Sequence, residues 1–209
     1  PQSAHSLSLN ASTSLFGGRY RLAGDLFYKR LYNQIEYGGN IFDVISSSYQ
    51  LQDNLLHGNG RNYGFSLMLH KCTGDLTGWV SYTYTNARRK FKEMDSDSSF
   101  PASHERPHEL KAVLMYCPRK HWDFGATAVY ASGTPFTFPE SIALINGNIL
   151  TQYGEYNSNR LRPYFRMDIS VNYKWFSRRV KEHGINLSLY NVSCMNNHLF
   201  WKIKVNDDM

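Results

Sequence analysis

Few residues in this chain stand at spacings that catalysis would use. His104 and His108 lie four apart with Glu105 and Glu109 beside them, a set that on one helix face could ligate a divalent metal. Pro107 falls between the histidines and interrupts any helix there, so the segment reads as a polar loop entering a strand. Asp25 and Asp168 could serve as a general acid–base pair. Each shares its strand row with cations, Arg21 and Lys29 in one case, Arg166 and Lys174 in the other, which makes ion pairing the simpler expectation. Arg88-Arg89-Lys90 followed by Phe91 has the mixture of a nucleic-acid patch, but one triplet without a recognised fold around it reads as the solvated base of a loop. No G-x-S-x-G elbow or phosphate-binding loop occurs. Cys72, Cys117 and Cys194 are odd in number and far apart, with no C-x-x-C pair, which excludes a disulfide scaffold and a zinc ribbon. No enzyme, cofactor, metal or nucleic-acid partner is expected.

The elements that carry these residues are strands. The 209 residues are 42% hydrophobic, 15% aromatic and 19% charged, with a net charge of +6; about 25% charged is usual for a soluble domain. No apolar stretch approaches the roughly 20 residues of a membrane helix, and disorder is excluded by the aromatic and aliphatic content. From Tyr164 to Trp175, Phe165, Met167, Ile169, Val171, Tyr173 and Trp175 alternate with Arg166, Asp168, Ser170, Asn172 and Lys174. Successive strand side chains point to opposite faces, so one face is apolar and the other strongly polar. The same alternation appears near Leu7, Tyr20, Tyr63, Leu76, Leu110, Trp122 and Ile185, with Phe27 and Trp79 as intruders in polar rows. That makes eight strands.

Connection lengths alternate. Short turns are expected at Leu15–Arg19, Cys72–Asp75, Cys117–His121 and Ser177–Gly184, and long loops at Tyr32–Arg61, Lys90–Pro107 and Gly133–Pro163; Gly38-Gly39 and Gly58-Asn59-Gly60 read as loop turns. Short turns at one rim and long loops at the other are the habit of outer-membrane barrels. Tyr20, Tyr116, Trp122, Tyr173 and Trp175 fall near the short-turn rim, and Tyr28, Tyr63, Tyr82, Tyr84, Tyr130 and Phe165 near the other, as two interfacial girdles would. A charge facing lipid at the midplane costs about 2–4 kcal/mol. Arg21, Asp25, Lys29, Arg166, Asp168 and Lys174 are therefore expected to face a lumen. A passive or structural barrel, and a soluble β-sandwich that binds carbohydrate, share parts of this pattern.

Longer motifs narrow the choice. They are Leu76-Thr77-Gly78-Trp79-Val80-Ser81-Tyr82-Thr83-Tyr84-Thr85, Glu105-Arg106-Pro107-His108-Glu109-Leu110, Trp122-Asp123-Phe124-Gly125-Ala126-Thr127, Tyr130-Ala131-Ser132-Gly133-Thr134-Pro135-Phe136, Tyr153-Gly154-Glu155-Tyr156-Asn157 and Asn186-Leu187-Ser188-Leu189-Tyr190-Asn191. In this order they resemble the C-terminal part of the barrel of TonB-dependent outer-membrane receptors, in the branch with a carboxypeptidase-regulatory-like domain. The resemblance implies an all-β, antiparallel up-and-down transmembrane segment of about 8–10 strands from a larger, 22-stranded barrel. It also implies active uptake of a nutrient, whether siderophore, vitamin, glycan or peptide. The partners implied are the lipid bilayer of the outer membrane, the receptor's plug, TonB and a surface lipoprotein. The chain begins at Pro1 and ends Lys204-Val205-Asn206-Asp207-Asp208-Met209; against this family, plug, signal peptide and closing strand are expected to be missing. Within the Gly133–Pro163 loop, Phe136, Tyr153, Glu155, Tyr156 and Arg160 offer aromatics for stacking and charges for orientation toward a polar organic solute.

Overall fold

The computed structural model describes residues 1–37, 55–91, 99–145, 148–176 and 183–198. Gly38-Gly39, most of the Ser177–Gly184 turn and the terminal Lys204–Met209 lie outside them. Thirteen strands occur among the described residues: β1 (Ser3–Leu15), β2 (Tyr20–Tyr37), β3 (Leu55–Lys71), β4 (Leu76–Phe91), β5 (Phe100–Pro101), β6 (His108–Arg119), β7 (Trp122–Ala131), β8 (Pro135–Phe136), β9 (Pro139–Ile145), β10 (Asn148–Tyr153), β11 (Asn159–Arg160), β12 (Tyr164–Trp175) and β13 (His183–Leu189). Eight of them run as one antiparallel meander, β1-β2-β3-β4-β6-β7-β12-β13, with β5 attached to β4. The path is open, with β1 and β13 at its ends.

Cross-strand partners share a face, so the register carries the apolar rows across the sheet. Leu9 pairs Leu26, Leu26 pairs Phe65, and Phe65 pairs Tyr84. Further along, Leu110 pairs Tyr130 and Tyr130 pairs Phe165, while Val171 pairs Leu187. All eight apolar rows therefore lie on one face. Extensive contacts run only between hydrogen-bonded neighbours, so among the described residues no second layer covers that face. Leu7 is 75% exposed, Leu9 68% and Leu187 63%. The little core there is lies at the loop end, where Phe91, Phe100, Ala87, Ala102 and Ala131 are buried.

The three described short turns are tight as expected, but the long connections are more ordered than their composition implies. β2 continues to Tyr37 and β3 starts at Leu55, so the sheet occupies both ends of the Tyr32–Arg61 loop. A register shift falls between Leu31 and Gln34, where Asn33 has φ 51°. This bulge swaps the faces of the residues beyond it, which hides the strand from a period-2 reading. Gly58-Asn59-Gly60 is ladder, not turn: these residues pair Phe91, Lys90 and Arg89. A Cβ on Gly58 would meet the Phe91 ring, and one on Gly60 the Arg89 side chain. The glycines are there to make room. Arg88-Arg89-Lys90 likewise belongs to β4 rather than to a loop base. The Gly133–Pro163 loop holds two small pairings, β9 with β10 and β8 with β11.

Both intruding aromatics lie on the polar face. Phe27 sits opposite Gly64, where a Cβ would come 2.7 Å from the Phe27 ring; the missing side chain gives the ring its place. Trp79 sits opposite His70.

Candidate functional site

The apolar face carries rings at two levels. Toward the short turns, Trp122 and Tyr173 are 4.7 Å apart, and Tyr116 stacks on Phe124 at 6.2 Å. Toward the long loops, Phe65 lies 5.9 Å from both Tyr82 and Tyr84. The Tyr82 hydroxyl is 2.8 Å from Nδ1 of His108. Rings with an apolar body and a polar tip suit a boundary between lipid and water.

The polar face holds all six charged residues singled out in the sequence, and it treats them in two ways. In β12, Arg166 Nε donates to both carboxylate oxygens of Asp168 at 2.9 and 3.0 Å. Asp168 also accepts the Asn191 backbone N–H at 2.7 Å, tying the segment after β13 to the wall. Lys174 reaches across to Asp123 at 2.8 Å, and Lys111 on β6 pairs with Glu109 at 2.7 Å. In β2, Arg21, Asp25 and Lys29 have no ion-pair partner among the described residues. Asp25 stands in a shallow depression of ≈ 400 Å³ whose lining includes Asn10, Ser12, Ala23, Ser66, Ser81 and Thr83. Asp25 is half-buried there.

The long-loop end is knotted by one buried acid. Glu105 is 2% exposed; its Oε1 accepts the Ala87 N–H at 2.9 Å, and its Oε2 takes a hydrogen bond from the Arg160 guanidinium. Arg160 also donates to the Gly133 carbonyl at 3.2 Å. Asn157, with φ 55°, donates from Nδ2 to the Pro101 carbonyl and the Ser103 hydroxyl. Tyr156 meets Phe100 edge-on at 4.9 Å, and Phe100 stacks on Phe91 at 5.6 Å.

Of the expected solute contacts, Arg160 and Tyr156 therefore sit together in this knot, and Phe136 flanks it through the β8–β11 pairing. Glu155 is exposed in the adjoining turn. Tyr153 lies apart at the foot of the β9–β10 hairpin, paired with Pro139, and its side chain falls outside what the structure describes. Glu105 and Asn157 were not anticipated. In the sequence Glu105 stands in a family motif and beside the two histidines, neither of which points to this role, and among the described residues no group of three potential metal ligands forms. Its partner is 55 positions away, and no local spacing signals that.

The profile of the TonB dependent receptor-like β-barrel family matches residues 1–192. The chain belongs to this family. Two solved structures of TonB-dependent receptors share its fold. The ferric-catecholate import receptor Fiu from Escherichia coli K12 is 17% identical with a TM-score of 0.61, the match covering 93% of this chain and 24% of that one. The ferripyoverdine receptor of the Pseudomonas aeruginosa outer membrane is 12% identical with a TM-score of 0.58, covering 92% of this chain and 23% of that one. The chain thus spans about a quarter of the length of the receptors it matches. No curated protein matches it significantly. The family is one of receptors and transporters, and its members work in the outer membrane with a plug and TonB. For a TonB-dependent receptor barrel, an uncovered apolar face and a charged opposite face are the expected division between lipid and lumen.

Proposed function

We propose that this chain forms part of the wall, lumen lining and external loops of an outer-membrane receptor that binds a scarce polar organic solute outside and admits it when TonB pulls the plug. The observation that carries the reading is the apolar face, continuous in register through all eight wall strands and left uncovered. Hydrocarbon is the solvent such a face requires. The polar face then looks inward, and the open depression at Asp25, flanked along β2 by Arg21 and Lys29, is the surface offered to the plug. Arg166, Asp168 and Lys174 line the same lumen. On this reading the rest of the barrel, the plug and the closing strand belong to chain beyond these 209 residues.

The solute site proposed is Phe136, Tyr153, Glu155, Tyr156 and Arg160; the external knot supports its Phe136, Glu155, Tyr156 and Arg160 part, where the Glu105–Arg160 pair holds the loop that carries exposed Glu155, and Tyr153 joins it from the neighbouring hairpin. In the full-length receptor, Tyr153→Ala with Tyr156→Ala is expected to lower TonB-dependent uptake about tenfold, as loss of two stacking contacts would. Barrel folding, read by heat-modifiable electrophoretic mobility, should be unchanged. Undiminished uptake in a folded double variant removes these residues from the site, and uptake indifferent to TonB removes the energised mechanism.

A further inference from the structure

The apolar face ends, toward the long loops, in a row of cations. His5 pairs Arg30, Arg30 pairs Arg61 and Arg61 pairs Arg88, so four basic or titratable side chains occupy adjacent strands on one face. The next row toward the membrane centre is Leu7, Tyr28, Tyr63 and Asn86, and the one after it Leu9, Leu26, Phe65 and Tyr84. The arginines thus continue the lipid-facing columns and do not belong to the polar face. Like charges placed directly opposite on neighbouring strands repel. Among the described residues no carboxylate answers Arg30, Arg61 or Arg88. Arg30 lies over the Tyr32 ring at 5.3 Å, and His5 meets that ring edge-on at 5.6 Å.

Height decides what faces them. Arg30 lies ten residues beyond Tyr20, which marks the short-turn rim on the same face. Ten residues at about 3.4 Å span about 34 Å along the strand, or about 26 Å across the bilayer at a tilt near 40°. The apolar band of such barrels is about 25 Å tall, which places the row at the outer headgroup level. Adjacent strands are about 4.8 Å apart, so the three guanidinium groups span about 10 Å, wide enough to grip more than one phosphate oxygen set bidentately.

We infer that Arg30, Arg61 and Arg88 form a binding row for a phosphate-bearing lipid headgroup of the outer leaflet. This rests on the outward, lipid-facing reading of the apolar face. The charge complementarity is with phosphate, and the continuity with Leu7, Tyr28 and Tyr63 beneath assigns the phosphate to a lipid whose acyl chains cover those side chains.

The test uses the full-length receptor, purified in detergent and titrated by native mass spectrometry with lipid A carrying its phosphates, with the same lipid A after phosphate removal, and with inorganic pyrophosphate. Phosphorylated lipid A is expected to bind, and Arg30→Gln with Arg61→Gln and Arg88→Gln to weaken it by about tenfold or more, as loss of charge-assisted hydrogen bonds would. Arg119→Gln, exposed at the short-turn end of β6 and at the other rim, should bind as the parent does. Equal binding of phosphorylated and dephosphorylated lipid, or an unaffected triple variant, overturns the row. Pyrophosphate binding as tightly as lipid A overturns the lipid assignment in favour of a soluble anion. Fractionation of cells separates this from the wider reading: a receptor found in the outer membrane whose triple variant still binds lipid A fails only here, whereas one absent from that membrane fails on both.

Discussion

The two ends of the polar face solve the same electrostatic problem differently. In β12, Arg166 and Asp168 are two residues apart and on one face, about 7 Å along the strand, which two side chains easily bridge. Lys174 finds Asp123 diagonally across the ladder. In β2, Arg21, Asp25 and Lys29 are four residues apart, about 13 Å between neighbours, beyond the reach of direct pairing. Their cross-strand partners are Ser14 and His70, Asn10 and Ser66, and Ser6 and Asn62, none of which neutralises them. One end pairs its own charges; at the other, among the described residues, no ion pair forms.

The strongest way to test that both ends belong to one wall is to charge the shared apolar face. Leu67→Arg at the β2 end and Leu114→Arg at the β12 end should each cost about 2–4 kcal/mol in lipid-reconstituted unfolding. If one of them proves harmless, the two ends do not face the same solvent. A smaller effect is expected from Gly64→Val, because its Cβ would fall 2.0 Å from the Tyr84 carbonyl and against Phe27; overpacking of this kind costs about 1–3 kcal/mol. It should loosen the β2 end while trypsin sites near β12 keep their protection. The finest contrast sets Asp25→Asn against Asp168→Asn. The first is expected to lower uptake about tenfold without altering barrel unfolding, because in the function proposed above this carboxylate faces the plug. The second should leave uptake intact and free the 190–198 segment for proteolysis, since Asp168 tethers Asn191. Reversal of the two phenotypes would exchange the roles of the two ends.

Much of the wall was legible in advance because side-chain direction in a strand depends on position alone. Alternation at Phe165, Met167, Ile169 and Val171 names the face whatever the neighbours are, and the same holds for seven further strands. Reading failed where the alternation is broken by geometry that composition does not record. The bulge at Asn33 inverts the faces of β2 beyond it, so its last residues, toward the long connection, resemble loop. Gly58 and Gly60 look like turn glycines because a glycine that clears space for Phe91 or Arg89 is the same residue as one that allows a bend. The site was less legible still. Glu105 and Arg160 meet across 55 positions, and Asn157 joins Pro101 and Ser103 across 56 and 54; contacts of that separation leave no periodic trace.

Taken alone, the order of residues determined which side chains share a face, because the backbone turns over at every step. It also determined that one of those faces is too greasy for water and the other too charged for lipid. Only the assembled sheet decided the register, and with it that Arg30, Arg61 and Arg88 stand abreast, that Asp25 has no counterion among the described residues, and that Glu105 is buried against Arg160. Those facts depend on which strand slides beside which, a choice made by hydrogen bonds between segments far apart along the chain.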